Sequence, residues 1–136
     1  GYLHADEAFG GEAGKLHSHS VSCATNFVQR AGIEALRETD DTVQEMVDAF
    51  ETRRDLVVDT LADAGVDVSV PDGAFYAMLP VDDDDQAWAE EAIEEAHVAT
   101  VPGNAFGAPG YARISYAASE DRLREAFDRL FDHGLL

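Results

Sequence analysis

Cations are what this chain is shortest of. It carries 9 Lys and Arg against 28 Asp and Glu, a formal charge of -19 at pH 7, and Lys15 is its only lysine. Such a deficit excludes a basic surface, so binding to nucleic acid or to an anionic membrane through Lys and Arg is not expected. Cys23 is the single cysteine, which rules out an internal disulfide and fits a reducing cytoplasm. No apolar run is long enough to span a bilayer. No basic segment followed by an apolar stretch opens the chain, so no signal peptide is expected. Repeats and low-complexity linkers are also missing. A chain that begins Gly1-Tyr2-Leu3 rather than with Met is expected to be a piece of something longer.

What is present is a core's worth of apolar residues, 46% of the chain, arranged periodically. That excludes the disorder usual in chains this acidic. Acidic residues are spread over every segment while lysine is almost eliminated. At this charge density self-repulsion opposes compaction unless salt screens it. The composition therefore points to haloarchaeal-type adaptation to a salt-rich cytoplasm.

The first twenty residues show no clear period. Beyond them Ala24, Phe27, Val28, Ala31, Ala35 and Leu36 fall on one helical face, with Ser22 or Thr25 as cap. A longer helix is predicted over roughly 41–64, striped by Val43, Met46, Val47, Phe50, Val57, Val58 and Leu61. Thr42 and Glu45 read as its capping box and Gly65 as its stop. Its length suits a connection between two domains. Val66, Val68 and Val70 alternate with polar residues, Pro71-Asp72-Gly73 is a turn, and Ala74 to Leu79 is apolar, so a hairpin is predicted. A helix capped by Asp84 or Asp85 follows, with Trp88, Ala92 and Ala96 on one face. Val98 to Val101 and Tyr111 to Ala117 complete the strands. A last helix is capped by Ser119 and striped by Leu123, Ala126, Phe127, Leu130 and Phe131. The expected fold is thus α+β, about four short strands covered by helices. One sheet face is left freer, where Arg113 would look out.

Several residues are candidates for chemistry. Ser18, Ser20, Ser22 and Thr25 gather hydroxyls before a helix, where free N–H groups and the helix dipole suit phosphate, although capping is the commoner role. Arg113 lies mid-strand in a chain poor in cations, and its fork of N–H donors fits a carboxylate. Its rival reading is an ion pair with one of the many Asp or Glu. His17-x-His19 would share a face on a strand but lacks a third metal ligand. Asp82 to Asp85 lacks the glycine and terminal glutamate of an EF-hand loop and reads as a solvated helix start. Cys23 reads as a small buried thiol. The Val101–Gly107 loop is glycine-rich without the lysine of a Walker loop.

Taken in order, four segments resemble the class I, fold-type I aminotransferases of the aspartate aminotransferase type, which depend on pyridoxal 5'-phosphate. They are Lys15-Leu16-His17-Ser18-His19-Ser20-Val21-Ser22, Arg53-Arg54-Asp55-Leu56-Val57, Pro71-Asp72-Gly73-Ala74-Phe75-Tyr76, and Val101-Pro102-Gly103-Asn104-Ala105-Phe106-Gly107 followed by Gly110-Tyr111-Ala112-Arg113-Ile114-Ser115-Tyr116-Ala117. The resemblance implies that residues 1–38 close a large cofactor-binding domain and 39–136 form the C-terminal small domain. It implies that Arg113 clamps the substrate α-carboxylate and that Ser22 reaches the cofactor phosphate of the other subunit in a homodimer. Ser18 would lie among the residues that select the distal substrate group. After Ser22 the chain reads Cys23-Ala24 where the family often has Asn-Pro. The Schiff-base lysine, the aspartate facing the pyridine nitrogen and the stacking aromatic belong upstream, so no catalytic residue is assigned here and the fragment alone is expected to be inactive. The implied reaction moves an amino group from an amino acid to a 2-oxo acid. A related β-lyase or decarboxylase shares the carboxylate clamp, and a non-catalytic stand-alone or vestigial module is the remaining alternative.

The charge argument has a direct consequence. The chain should lose its helical circular dichroism in dilute buffer and regain it in concentrated KCl; equal spectra in the two would sink the halophile reading.

Overall fold

The computed structural model describes residues 2–81 and 84–136; Gly1, and Asp82 and Asp83 of the acidic run, lie outside the described residues. The chain divides into two compact units, Gly1–Gln44 and Glu45–Leu136, each described by itself.

In the first unit, α1 (Glu7–Ser20) is the helix that periodicity leaves unassigned. It contains Gly10, Gly11 and Gly14 and buries none of its residues, so no apolar stripe announces it. Asp6 sets its start by accepting the Phe9 N–H at 2.9 Å. α2 (Asn26–Arg37) follows the predicted span with Thr25 at its N-cap, though the Thr25 side chain makes no capping hydrogen bond. Its apolar stripe stays exposed, Phe27, Val28 and Leu36 included.

α3 (Asp40–Asp63) agrees closely with the expected long helix. Its start differs: the Val43 N–H donates to the Thr39 carbonyl, so Thr42 and Glu45 lie inside the helix and form no capping box. Its end is as expected. Gly65 takes a left-handed φ of 80°, its N–H donates to the Ala62 carbonyl, and the Val66 N–H donates to Leu61. Both donors satisfy carbonyls that the helix end would otherwise orphan.

In the second unit the sheet has three antiparallel strands in the order β1-β3-β2: β1 is Tyr76–Pro80, β2 is Val101–Pro102 and β3 is Tyr111–Ser115. The α+β class is as the sequence indicates, but the hairpin is not. Residues 66–70 pair with no strand. Val66 and Val68 instead pack against the core, so the alternation recorded side-chain burial and not a ladder. β2 is also shorter than expected, because the Val98 N–H donates to Ala92 at the end of the preceding helix.

That helix, α4 (Asp85–Glu94), is capped by Asp84, which accepts the Ala87 N–H at 3.0 Å. α5 (Glu120–Asp132) is capped by Ser119. The core unites Val57 and Leu61 of α3, Ala77, Leu79 and Ala112 of the sheet, Trp88 and Ala92 of α4, and Leu123, Phe127 and Leu130 of α5. Only the later half of the α3 stripe is covered; Val43, Met46 and Val47 are exposed. Tyr116 is buried just past β3, with its hydroxyl donating to the Ala74 carbonyl at 3.2 Å. Ala74 has a left-handed φ of 61°, a conformation that costs a non-glycine residue about 1–2 kcal/mol and must be held by its surroundings.

Two expectations follow. Gly65→Ala should lower stability by about 1–2 kcal/mol, read as a lower denaturant midpoint at constant slope, because a Cβ there meets no neighbour and only the left-handed backbone is penalised. Burial pushes the Tyr116 hydroxyl above the usual tyrosine range, with Arg54 pulling partly back. Its contribution to stability is therefore complete below about pH 10 and lost as pH rises through the higher folded value. Ultraviolet titration should show one of the 4 tyrosines ionising late; ordinary ionisation of all four would contradict this.

Candidate functional site

β3 is the central strand, so its outward residues have neighbours on both sides. Arg113 stands opposite Met78 of β1 and Val101 of β2, and diagonal to Tyr76, which pairs with Ser115. Alternation sends Ala112 and Tyr116 to the core and Arg113 to the freer face. Diagonal residues on one face lie within reach of long side chains. Here the Arg113 guanidinium carbon lies 4.2 Å from the centroid of the Tyr76 ring.

A second ring comes from the turn before β3. Phe106 ends a short 3-10 turn, Gly103–Phe106, and its centroid is 4.1 Å from the same guanidinium carbon. The turn is tightly wound. Gly103 is buried, and a Cβ there would collide with the carbonyl oxygens of Ala108 and Tyr111, so only glycine fits. Gly107 then takes a left-handed φ of 72° and Gly110 one of 78°. The loop is tied from below by Asp85, whose Oδ2 accepts the Asn104 N–H at 2.9 Å and the Gly110 N–H at 3.2 Å.

Among the described residues, no carboxylate lies within 4.0 Å of the Arg113 guanidinium, and it donates to no side-chain or backbone acceptor. The rival reading of a structural ion pair is therefore not met there. Rings attract a cation through their faces without taking up its N–H donors as carboxylates do. The result is a half-buried guanidinium that is held in place yet still open to an anion.

Arg54 is the contrasting case. It pairs with Asp55 at 2.8 Å and with Glu51 at 3.8 Å, and the Asp55 hydrogen bond above all shifts it further towards the protonated form. Arg54 lines an open cleft of about 290 Å³ with Phe50, Gly73, Ala74 and Tyr116. Its donors are committed, so it is a less available anion site than Arg113.

The hydroxyl candidates belong to the first unit. They do not all precede a helix: Ser18 and Ser20 lie in the last turn of α1, donating to the carbonyls of Lys15 at 2.8 Å and Leu16 at 2.9 Å. Ser22 occupies the left-handed position after α1, φ 61°, with its N–H donating to His17. That place usually falls to glycine. His17 and His19 are on a helix, where residues two apart point to different sides, so they form no metal pair; no cluster of three metal-ligating side chains occurs among the described residues. Cys23 is exposed, not buried as its composition class suggests, because it lies in the turn between two helices. Of the acidic run, Asp84 is the cap of α4, while Asp85 is buried and binds the loop instead of being solvated. Asp85 and Phe106 are the site residues that sequence reasoning missed. Nothing in a run of four aspartates marks which one turns inward.

Comparison with known proteins supplies the family. The family "Aminotransferase class I and II" matches residues 1–130. The aspartate aminotransferase of Thermotoga maritima is 42% identical over 132 residues, covering 97% of this chain and 34% of that protein. A probable aspartate/prephenate aminotransferase of Aquifex aeolicus is 43% identical over 143 residues, covering 96% of this chain and 35% of that protein. Among solved structures, the Thermotoga maritima enzyme superposes with a TM-score of 0.80 over 88% of this chain and 31% of its own, at 43% identity. An aromatic aminotransferase from Pyrococcus horikoshii gives 0.81 at 34% identity over 90% of this chain and 36% of its own. The chain thus spans about a third of the relatives it matches. With a family match over nearly its whole length and a small α+β unit of the same fold, the chain belongs to the class I and II aminotransferases.

Proposed function

We propose that this chain is the C-terminal part of a pyridoxal-phosphate-dependent aminotransferase, in which residues 39–136 act as the small domain and 1–38 complete the large one. The full enzyme would move an amino group from an amino acid to a 2-oxo acid, as a homodimer in a salt-rich cytoplasm. One observation carries the reading: in a chain with 28 acidic residues, the Arg113 guanidinium is flanked by two aromatic rings and meets no carboxylate among the described residues. A substrate α-carboxylate would complete it, docking against the N–H fork.

The residues present also suit the cofactor's phosphate. Ser22 offers an exposed hydroxyl on a left-handed backbone, and the Thr25 side chain leaves the first turn of α2 uncapped. Hydroxyls and helix N-terminal N–H groups are the donors phosphate prefers. Ser22 would reach the phosphate held by the other subunit, and Ser18 would lie near the distal part of the substrate. Lys15 pairs with Glu12 at 2.6 Å, in keeping with the covalent attachment lying elsewhere in the enzyme. When bound, the cofactor supplies the electron sink that makes the substrate Cα–H acidic. This chain's part is positioning. Arg113 fixes the carboxylate, and with it the direction in which the Cα proton leaves. The rings of Tyr76 and Phe106 keep the guanidinium from swinging to a surface acid.

The test is Arg113→Ala in the full-length enzyme. KM for the amino donor should rise, kcat should fall, and kcat/KM should drop by about a hundredfold or more. Unchanged values of both would end the assignment.

A further inference from the structure

Among the described residues Asp85 is the only buried charged side chain, 4% exposed, and the proposed reaction makes no direct use of it. Burying a carboxylate is costly unless hydrogen bonds and favourable charge compensate. Here both exist. Asp85 is the first residue of α4, where the helix dipole favours a negative charge, and Oδ2 accepts the N–H groups of Asn104 and Gly110. Those two groups sit near opposite ends of the turn that carries Phe106. One buried oxygen therefore closes the loop like a clasp. Further bonds are the Ala108 N–H to Gly103 and the Val81 N–H to Gly110.

Phe106 itself is 49% exposed and belongs to no core cluster. With its ring outside the core, its place follows from the backbone of its turn. The chain of cause runs from the Asp85 carboxylate to the turn, from the turn to the Phe106 ring, and from the ring to the Arg113 guanidinium.

We infer that Asp85 is a positioning residue for substrate binding, acting through Phe106 to hold Arg113 ready for the substrate carboxylate. This rests on the proposal that Arg113 binds that group. Asp85 acts through the loop backbone it binds, and its role is separable from a contribution to folding alone.

The experiment uses the full-length enzyme and the amino donor it turns over best among the common amino acids, with 2-oxoglutarate as acceptor. Asp85→Asn keeps the shape of the side chain and removes its charge. It should raise KM for the donor about fivefold with a much smaller change in kcat, and Phe106→Ala, which removes a half-exposed ring, should do the same. Because the two act in series, the double variant should be no worse than the more severe single one. A lower melting temperature for Asp85→Asn with an unmoved KM would make Asp85 merely structural and overturn the inference. Multiplying effects in the double variant would also overturn it, since Asp85 would not then act through Phe106. Arg113→Ala, measured alongside, separates the two levels. A raised KM there with no effect of Asp85→Asn sinks only the inference, whereas no turnover by the wild type, or no effect of Arg113→Ala, sinks the carboxylate reading and the inference with it.

Discussion

A cation held by aromatic faces instead of by acid is the interaction on which this site depends. The second unit is rich in Asp and Glu, and three of its other guanidiniums pair with them, while Arg53 lies over the Phe50 ring, 5.4 Å from its centroid. Arg54, Arg124 and Arg129 all pair with carboxylates. Most of these pairs are exposed and contribute little. Arg113 is placed differently because β3 is the central strand and its outward neighbours are Met78, Val101 and, diagonally, Tyr76. A ring contact is worth about 0.5–2 kcal/mol depending on desolvation, enough to bias a side chain without closing its donors.

The fold exists around that placement. The inward residues of β3 and β1 lock the sheet onto α3, α4 and α5, which fixes the height of Arg113 over the core. The Trp88 indole donates to the Leu135 carbonyl at 3.3 Å and ties α4 to the chain end. α4 in turn presents Asp85 to the loop. Two strained or tight points, Ala74 and Gly103, lie beside the strands that bear Tyr76 and Arg113. Strain of this kind persists only where the surroundings over-determine it.

Much of this was legible in the sequence. The long helix and its glycine stop, the cap at Ser119, a cap at Asp84 or Asp85, and the division of β3 into a core face and an Arg113 face all follow from local pattern. Other features did not, for physical reasons. Val66 and Val68 alternate as a strand would, but alternation reports which side chains are buried, and a strap lying on a core buries them in the same way. α1 has no buried face, so no period reveals it. Spacing alone favours an ion pair for Arg113, because only the fold shows that its neighbours are rings. Asp85 was hidden within a run of like residues, and its burial depends on backbone donors 19 and 25 positions away.

The most direct test of the account is a crystal structure of the full-length protein with an unreactive amino-acid analogue bound. The account predicts the analogue's α-carboxylate on the Arg113 N–H fork, with the Tyr76 and Phe106 rings still against the guanidinium. An Arg113 closed on an Asp or Glu of the protein, with the analogue's carboxylate held elsewhere, would contradict it.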